Sequence, residues 1–224
     1  SLLYTGMTLG VEDPNAPPHL LHGWPFAAGM LGILLAHELG HYFVGRRLGV
    51  PVSLPYFIPM PLTIFGTMGA FIRMKAPPLN RRRLLAMAVA GPLAGLAVAV
   101  PVLLLGLSLS EIRPVFQQLP PGAKVYMEGN SLLYIALKML VFGRFLPSGG
   151  EDVWLHPLAF AGWAGLFVTG LNLIPAGQLD GGHIIYTLLG KRARPLTWGL
   201  IVALIGLDLL NFHLYRQLSW SLLV

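Results

Sequence analysis

The segment His37-Glu38-Leu39-Gly40-His41 sits inside an apolar run that extends from Trp24 to Val44. Positions i and i+4 of a helix share one face, so His37 and His41 can offer two imidazole nitrogens to one Zn²⁺, with Glu38 beside the metal as a general base. A helix of membrane length normally excludes such groups, because an ionisable side chain at bilayer depth costs roughly 2.5 kcal/mol or more unless it faces a polar site. The expectation is therefore chemistry carried out within a membrane.

Composition agrees. Of the 224 residues, 55% are hydrophobic and only 11% charged, against about a quarter charged in soluble domains. The mean hydropathy is +0.68. The length has room for roughly four to six spans of ~20 residues. The expected fold is thus an all-α membrane protein, a polytopic bundle of that many transmembrane helices. It would form a single domain over residues 1–224, with a small re-entrant or β element at the cytoplasmic side. There is no cysteine, which excludes a disulfide framework and a thiolate metal site. The net charge of +6 fits the Lys and Arg that membrane proteins gather in cytoplasmic loops better than it fits a nucleic-acid partner.

The chain opens Ser1-Leu2-Leu3-Tyr4 with neither an initiator methionine nor a charged segment, which leaves room for a leader or an earlier helix upstream. Residues 10–25 read as a polar loop. A first membrane helix is expected over about 24–45, and a second over Leu84–Leu109 with kinks at Pro92 and Pro101. A third covers about Pro157–Ile174 and breaks at Pro175, a short helix follows at about Gly182–Leu189, and a further span covers about Leu196–Leu214. Residues 130–142 contain Lys138 and are too short to span, so they read as an interfacial helix.

Charge gives the orientation. Between His41 and Leu84 lie Arg46, Arg47, Arg73, Lys75, Arg81, Arg82 and Arg83 with no acidic residue, and Lys191, Arg192 and Arg194 form a second basic loop. Glu12, Asp13, Glu111, Glu128, Glu151 and Asp152 fall in the alternate loops. The positive-inside rule then puts residues 46–83 and 190–195 in the cytoplasm, with 10–23 and 110–155 outside.

Catalytic zinc takes three protein ligands and keeps a fourth position for water. The leading third ligand is Asp180, in a stretch from Asn172 to His183 where Pro175, Gly177, Gly181 and Gly182 interrupt an apolar region. Unwound backbone at membrane depth is tolerated where protein buries it or where it lines a wet cavity. A carboxylate beside such a break can turn toward a metal on a neighbouring helix. Asp180 could instead cap a helix. Asp208, acidic within Leu196–Leu214, is a competing third ligand, a gate or a buried hydrogen-bonding group. His183 reads as a local hydrogen-bonding residue and His213 as interfacial.

His37-Glu38-Leu39-Gly40-His41 followed by Asn172…Pro175…Leu179-Asp180-Gly181 resembles the site-2 protease family of intramembrane zinc metalloproteases. Gly91-Pro92-Leu93-Ala94-Gly95 and Phe65-Gly66-Thr67-Met68-Gly69-Ala70-Phe71 also resemble family segments, so the likeness covers about residues 24–190. It implies His37, His41 and Asp180 as zinc ligands and Glu38 as the catalytic base. It also implies Asn172 as a donor to substrate backbone or oxyanion, a residue that could instead simply cap or brace the broken helix. One departure bears on local loop shape: Ala176-Gly177-Gln178 stands where many relatives carry a second proline. The family's common inserted peptide-binding module is not expected, since 110–153 is too short for roughly a hundred residues. The implied activity is an endopeptidase that cuts transmembrane segments of membrane-tethered regulators, with a transmembrane protein substrate and the lipid bilayer as partners. The expected location is a prokaryotic plasma membrane, with an organelle membrane of like topology as the alternative. Nothing in the sequence sets an oligomeric state.

Residues 51–72 are apolar yet proline-rich, which excludes a regular spanning helix. They read as extended re-entrant or interfacial structure, with strands within Thr63–Ile72 whose edge could take a substrate in extended form. Two other classes fit parts of the pattern. A metal transporter or non-proteolytic zinc scaffold would need further ligands along a path, for which only His183, Asp208 and His213 are spare. A different membrane metalloprotease would use a downstream Glu, but Glu111, Glu128 and Glu151 all fall in the outer loop.

Overall fold

A computed structural model describes residues 2–3, 23–60, 65–76, 80–114 and 128–215, with the side chains of 68, 208 and 211–215 outside that description. Helix α1 (Trp24–Arg47) begins with Pro25 in its first turn, where the missing N–H has no helical partner to lose. It ends at Gly49, whose φ of +72° reverses the chain. The Gly49 and Val50 N–H groups there donate to the Arg46 and Gly45 carbonyls.

Strand β1 (Tyr56–Pro59) then pairs antiparallel with β2 (Thr67–Phe71), Tyr56 opposite Phe71. Backbone bonds between Ser53 and Arg73 and between Lys75 and Pro51 continue this hairpin toward its open end. Helix α2 (Arg81–Ser108) is capped by Asn80, whose side chain accepts from the Arg83 N–H, and it carries Pro92 and Pro101 within one helix. There follow β3 (Glu111–Pro114), α3 (Leu132–Phe142), β4 (Glu151–Trp154), α4 (Pro157–Asn172), α5 (Asp180–Leu189), a 3₁₀ turn at Gly190–Arg192 and α6 (Ala193–Tyr215). Strands β3 and β4 pair antiparallel, Glu111 opposite Trp154.

Helices α1, α2 and α4 approach closely at small residues, the mode of packing that serves where lipid removes the hydrophobic drive between helices. A side chain added at Gly40 would strike the Ala90 carbonyl, while Gly29 faces Val102 and Gly45 faces Met87. Those pairings make α1 and α2 antiparallel, and the Arg83 guanidinium donates to the Leu48 carbonyl at their shared end. Helices α2 and α4 are antiparallel too, Gly106 lying on the Ala159 backbone and Gly162 on Leu103. Helix α4 therefore runs parallel to α1, with Phe26 against Phe160 and Ile33 against Gly165.

Phe26, Met30, Leu34, Ala161 and Ala164 fill the α1–α4 seam. Phe65, just before β2, packs its ring on Phe160, Trp163 and Phe167 with centroids 5.8–6.4 Å apart. The hairpin thus lies lengthwise along that seam. A second cluster, built on Leu103, Leu107, Tyr134, Leu137, Leu146 and Val153, joins α2 to α3 and β4.

Antiparallel packing sorts the charges. Arg46, Arg47 and Arg81–Arg83 share one end of the bundle, where Arg81 also lies over Tyr186 and beside Gly190. Glu111, Glu151 and Asp152 lie on β3 and β4, at the other end. There Lys138 is wholly buried, 3.4 Å from Asp152 and over the Tyr134 ring, and the Tyr134 hydroxyl donates to Glu128 at 2.8 Å. Burial holds the Glu128 carboxyl above the usual carboxylate range, and burial beside Glu128 pushes the Tyr134 hydroxyl up as well.

The helices match the expected ones to within a few residues. The chain is mostly helical, and α1 and α2, of 24 and 28 residues, are the described helices long and apolar enough to cross a membrane. The spans expected at 157–174 and 196–214 correspond to α4, with 16 residues, and α6, with 23. The strand expected within Thr63–Ile72 is β2. Residues 10–22 of the expected polar loop lie outside the described residues. The β3–β4 ladder was not expected: its four-residue strands are 36 residues apart, and such pairing is set by tertiary context rather than local preference.

Candidate metal centre

Helix α1 buries His37, Glu38 and His41 at 5, 6 and 8% exposure. The i, i+4 spacing turns both imidazoles toward α2, where Gly91 and Gly95 stand opposite. A Cβ on Gly91 would fall on the His41 ring, and one on Gly95 would crowd the His37 ring. Two glycines four apart on α2 thus clear the space that two histidines four apart on α1 require. The purpose of the Gly91–Gly95 segment is visible only once α1 faces it.

The third group arrives from the broken region. Helix α4 stops at Asn172, and tight turns through Gly177, at a φ of +54°, lead to Leu179. Gly181 and Gly182 press on the carbonyls of Leu173, Ile174, Ala176 and Gly177 so closely that a Cβ would collide at either position. Helix α5 is thereby nested on the turn, and Thr197 of α6 pins the Pro175 carbonyl at 2.6 Å. Asp180 is the first residue of α5, yet the helix has no side-chain cap. Its carboxylate turns instead to the imidazoles, with Oδ2 3.1 Å from His37 Nε2 and 3.3 Å from His41 Nε2. The capping alternative is excluded by that geometry.

The residues fit zinc. The two Nε2 atoms are 3.1 Å apart, so the donors form a near-equilateral triangle. Ligands of a tetrahedral zinc at 2.0–2.1 Å stand about 3.3 Å from one another. His41 Nδ1 lies 2.7 Å from the Met87 carbonyl. That contact takes the ring proton of the neutral imidazole and leaves Nε2 with its lone pair. A bare nitrogen facing a carboxylate oxygen is an arrangement that calls for a cation. His37, His41 and Asp180 are the one such group among the described residues. Glu38 stands beside it, its carboxylate near the Ile72 backbone just past the end of β2.

Asn172 closes α4, half-buried, outside the ligand triangle. His183 lies half-buried on α5 and is not part of the group. The side chains of Asp208 and His213 are outside the described residues. Besides the glycines, the Met87 carbonyl and the Ile72 backbone were missed, since backbone groups leave no motif.

The chain is similar to known proteins over most of its length. The model of Peptidase family M50, the site-2 protease family, matches residues 25–210. "Probable zinc metalloprotease EGY1, chloroplastic" of Arabidopsis thaliana is 36% identical over 222 residues, covering 95% of this chain and 39% of that protein. "Probable zinc metalloprotease EGY2, chloroplastic" of the same plant is 36% identical over 191 residues, covering 85% and 33%. The EGY1 relative of Oryza sativa subsp. japonica is 34% identical over 223 residues, covering 95% and 37%. The chain spans under two fifths of the length of each of these relatives. With a family match over most of its length and two histidines and an aspartate gathered for one metal ion, the chain belongs to peptidase family M50.

Proposed function

We propose that the chain is an intramembrane zinc endopeptidase that hydrolyses peptide bonds within transmembrane segments of membrane-tethered regulatory proteins. The observation that carries this reading is the convergence of His37, His41 and Asp180 beside a buried Glu38. The triad lies about 9 Å from the basic end of α1, counting 1.5 Å per residue from His41 to Arg47. In this reading the basic end faces the cytoplasm and α1, α2, α4 and α6 are the spanning helices. The setting is a prokaryotic plasma membrane or an organelle membrane, such as that of the chloroplast named for the relatives.

His37, His41 and Asp180 hold the metal. Zinc bound there would supply a Lewis acid for the scissile carbonyl and lower the pKa of an attacking water toward about 7. Glu38 takes the proton from that water and passes it to the leaving amine. Because α4 runs parallel to α1 with Gly165 facing Ile33, Asn172 arrives level with Gly40, where its amide can donate to substrate backbone or oxyanion. The hairpin beside Glu38 is the re-entrant element of this reading. All four residues of β1 are exposed, and among the described residues β1 pairs with β2 alone; such an edge at membrane depth favours an added strand that satisfies its amides and carbonyls. A metal transporter gains no support, since the described residues hold no second ligand group.

The test is cleavage of a model transmembrane peptide by detergent-solubilised wild type and Glu38→Gln. The variant should keep its zinc while turnover falls by roughly 10² or more. Wild-type turnover in Glu38→Gln would remove the reading.

A further inference from the structure

The outward face of the β1–β2 hairpin carries a site that this mechanism leaves unused. Ser53, Tyr56, Phe71, Arg73, Met74 and Lys75 line a shallow cavity of about 460 Å³. Residues two apart along extended chain share a face, so Phe71, Arg73 and Lys75 point the same way. Tyr56 stands opposite Phe71 across the ladder, ring centroids 5.8 Å apart. Val52 and Ile72, on the other face, pack against Val50 and Met87 in the bundle. The dish is therefore turned outward, with Tyr56 and Phe71 56% and 46% exposed.

Among the described residues, its two cations have no ion-pair partner. Arg83 bonds the Leu48 carbonyl, Arg81 covers Tyr186 and Arg46 lies over Tyr42. Among the described residues, no carboxylate pairs with Arg73 or Lys75.

Position gives the dish its meaning. The Ile72 backbone lies near the Glu38 carboxylate, and Arg73 and Lys75 follow one and three residues later. At ~3.3 Å per residue they stand about 3 and 10 Å beyond the general base. A peptide lying extended along the hairpin, with its reacting bond at Glu38, brings the residues one to three places past that bond onto the dish. Ordinary membrane proteins crowd Lys and Arg at this boundary. A basic dish repels those flanks and attracts acidic ones, so the discrimination comes from the repulsive element as much as the attractive one.

We infer that Arg73 and Lys75, framed by Tyr56 and Phe71, select substrates that carry Asp or Glu within about three residues of the cut bond on its basic-end side. The inference rests on the endopeptidase reading and names the substrate class of that same site.

The experiment uses the full chain, zinc-loaded, in nanodiscs of neutral lipid and of lipid containing phosphatidylglycerol. Three transmembrane peptides differ only in two flanking residues, Glu-Glu, Gln-Gln or Lys-Lys. Wild type should cut the Glu-Glu peptide with kcat/KM roughly tenfold above the Lys-Lys peptide, the scale of two exposed ion pairs exchanged for two like-charge pairs. Arg73→Glu/Lys75→Glu should reverse that order in both lipids. Dissociation constants of the labelled peptides for the Glu38→Gln protein, with and without the double change, should reverse in parallel. Equal cleavage of all three peptides by both proteins overturns the selection site and leaves the endopeptidase standing. A rate that follows the charge of the lipid and not of the peptide also overturns it, and assigns the dish to lipid headgroups. Absence of any cleavage by wild type overturns the endopeptidase reading and the selection site with it.

Discussion

Replacing Gly91 with alanine tests whether the α1–α2 contact shapes the metal centre. The new Cβ would fall on the His41 imidazole, nearest to Nε2. Non-bonded heavy atoms settle near 3.5–4.0 Å, so the ring or the helix must shift by roughly 1 Å or more. Neither has freedom to do so. The ring is held at Nδ1 by the Met87 carbonyl at 2.7 Å, and the helices are already in contact where Gly40 meets Ala90. Metal–ligand distances tolerate only about 0.2 Å. Changes that misorient a metal-bound histidine cost about 10–100-fold in affinity, or about 1.4–2.7 kcal/mol. Zinc affinity of purified Gly91→Ala, measured by competition with a fluorescent chelator, should fall by at least that range. Gly32→Ala on α1, where no described residue lies within 4 Å of the added Cβ, should bind as wild type does. An affinity for Gly91→Ala within about twofold of wild type, with helicity unchanged, would refute the steric reasoning.

Three further predictions concern the scaffold. Gly181→Ala forces a methyl onto the Leu173 and Ile174 carbonyls and should cost about 1–3 kcal/mol, read as a lowered thermal midpoint; an unchanged midpoint counts against the nested turn. Thr197→Val removes the donor to the Pro175 carbonyl and should cost about 0.5–1.5 kcal/mol in the same assay, while a neutral effect would mean that α6 does not hold the turn. Glu128 tests the buried charges at the acidic end. Its folded pKa is raised above the ordinary carboxylate value by burial, so the folded state binds the proton more tightly than the unfolded chain does. That contribution to stability is complete below the unfolded value and is lost as pH rises through the folded one. Glu128→Gln keeps an acceptor for Tyr134 without the charge, so its midpoint should exceed wild type near about pH 8 and converge with it below about pH 4. A constant gap at both ends would contradict the burial argument.

The candidate ligand trio stands out in the sequence for a chemical reason. Two histidines at helical spacing and an aspartate beside glycines have few other reasons to occupy apolar segments, and Asp180 indeed reaches both rings. The charge pattern likewise foretold which helix ends share a side, since Arg46 and Arg47 end α1 where Arg81–Arg83 begin α2. What lay hidden was complementarity between distant segments. Gly91 and Gly95 matter through what faces them, and a lone sequence does not say that His41 and His37 do. Lys138 read as an interfacial lysine because its partner Asp152 lies on a strand whose own mate, β3, is far off in the chain. The path of the hairpin along α1 and α4 rests on Phe65 meeting Phe160, Trp163 and Phe167, a tertiary contact with no local signature.

X-ray absorption at the zinc edge of the zinc-loaded Glu38→Gln protein examines the metal centre most directly. The account predicts one zinc per chain with two imidazoles and oxygen donors at about 2.0–2.1 Å, and loss of one oxygen donor or of the metal itself in Asp180→Ala. A third imidazole around the metal, or a spectrum that Asp180→Ala leaves unaltered, would contradict it.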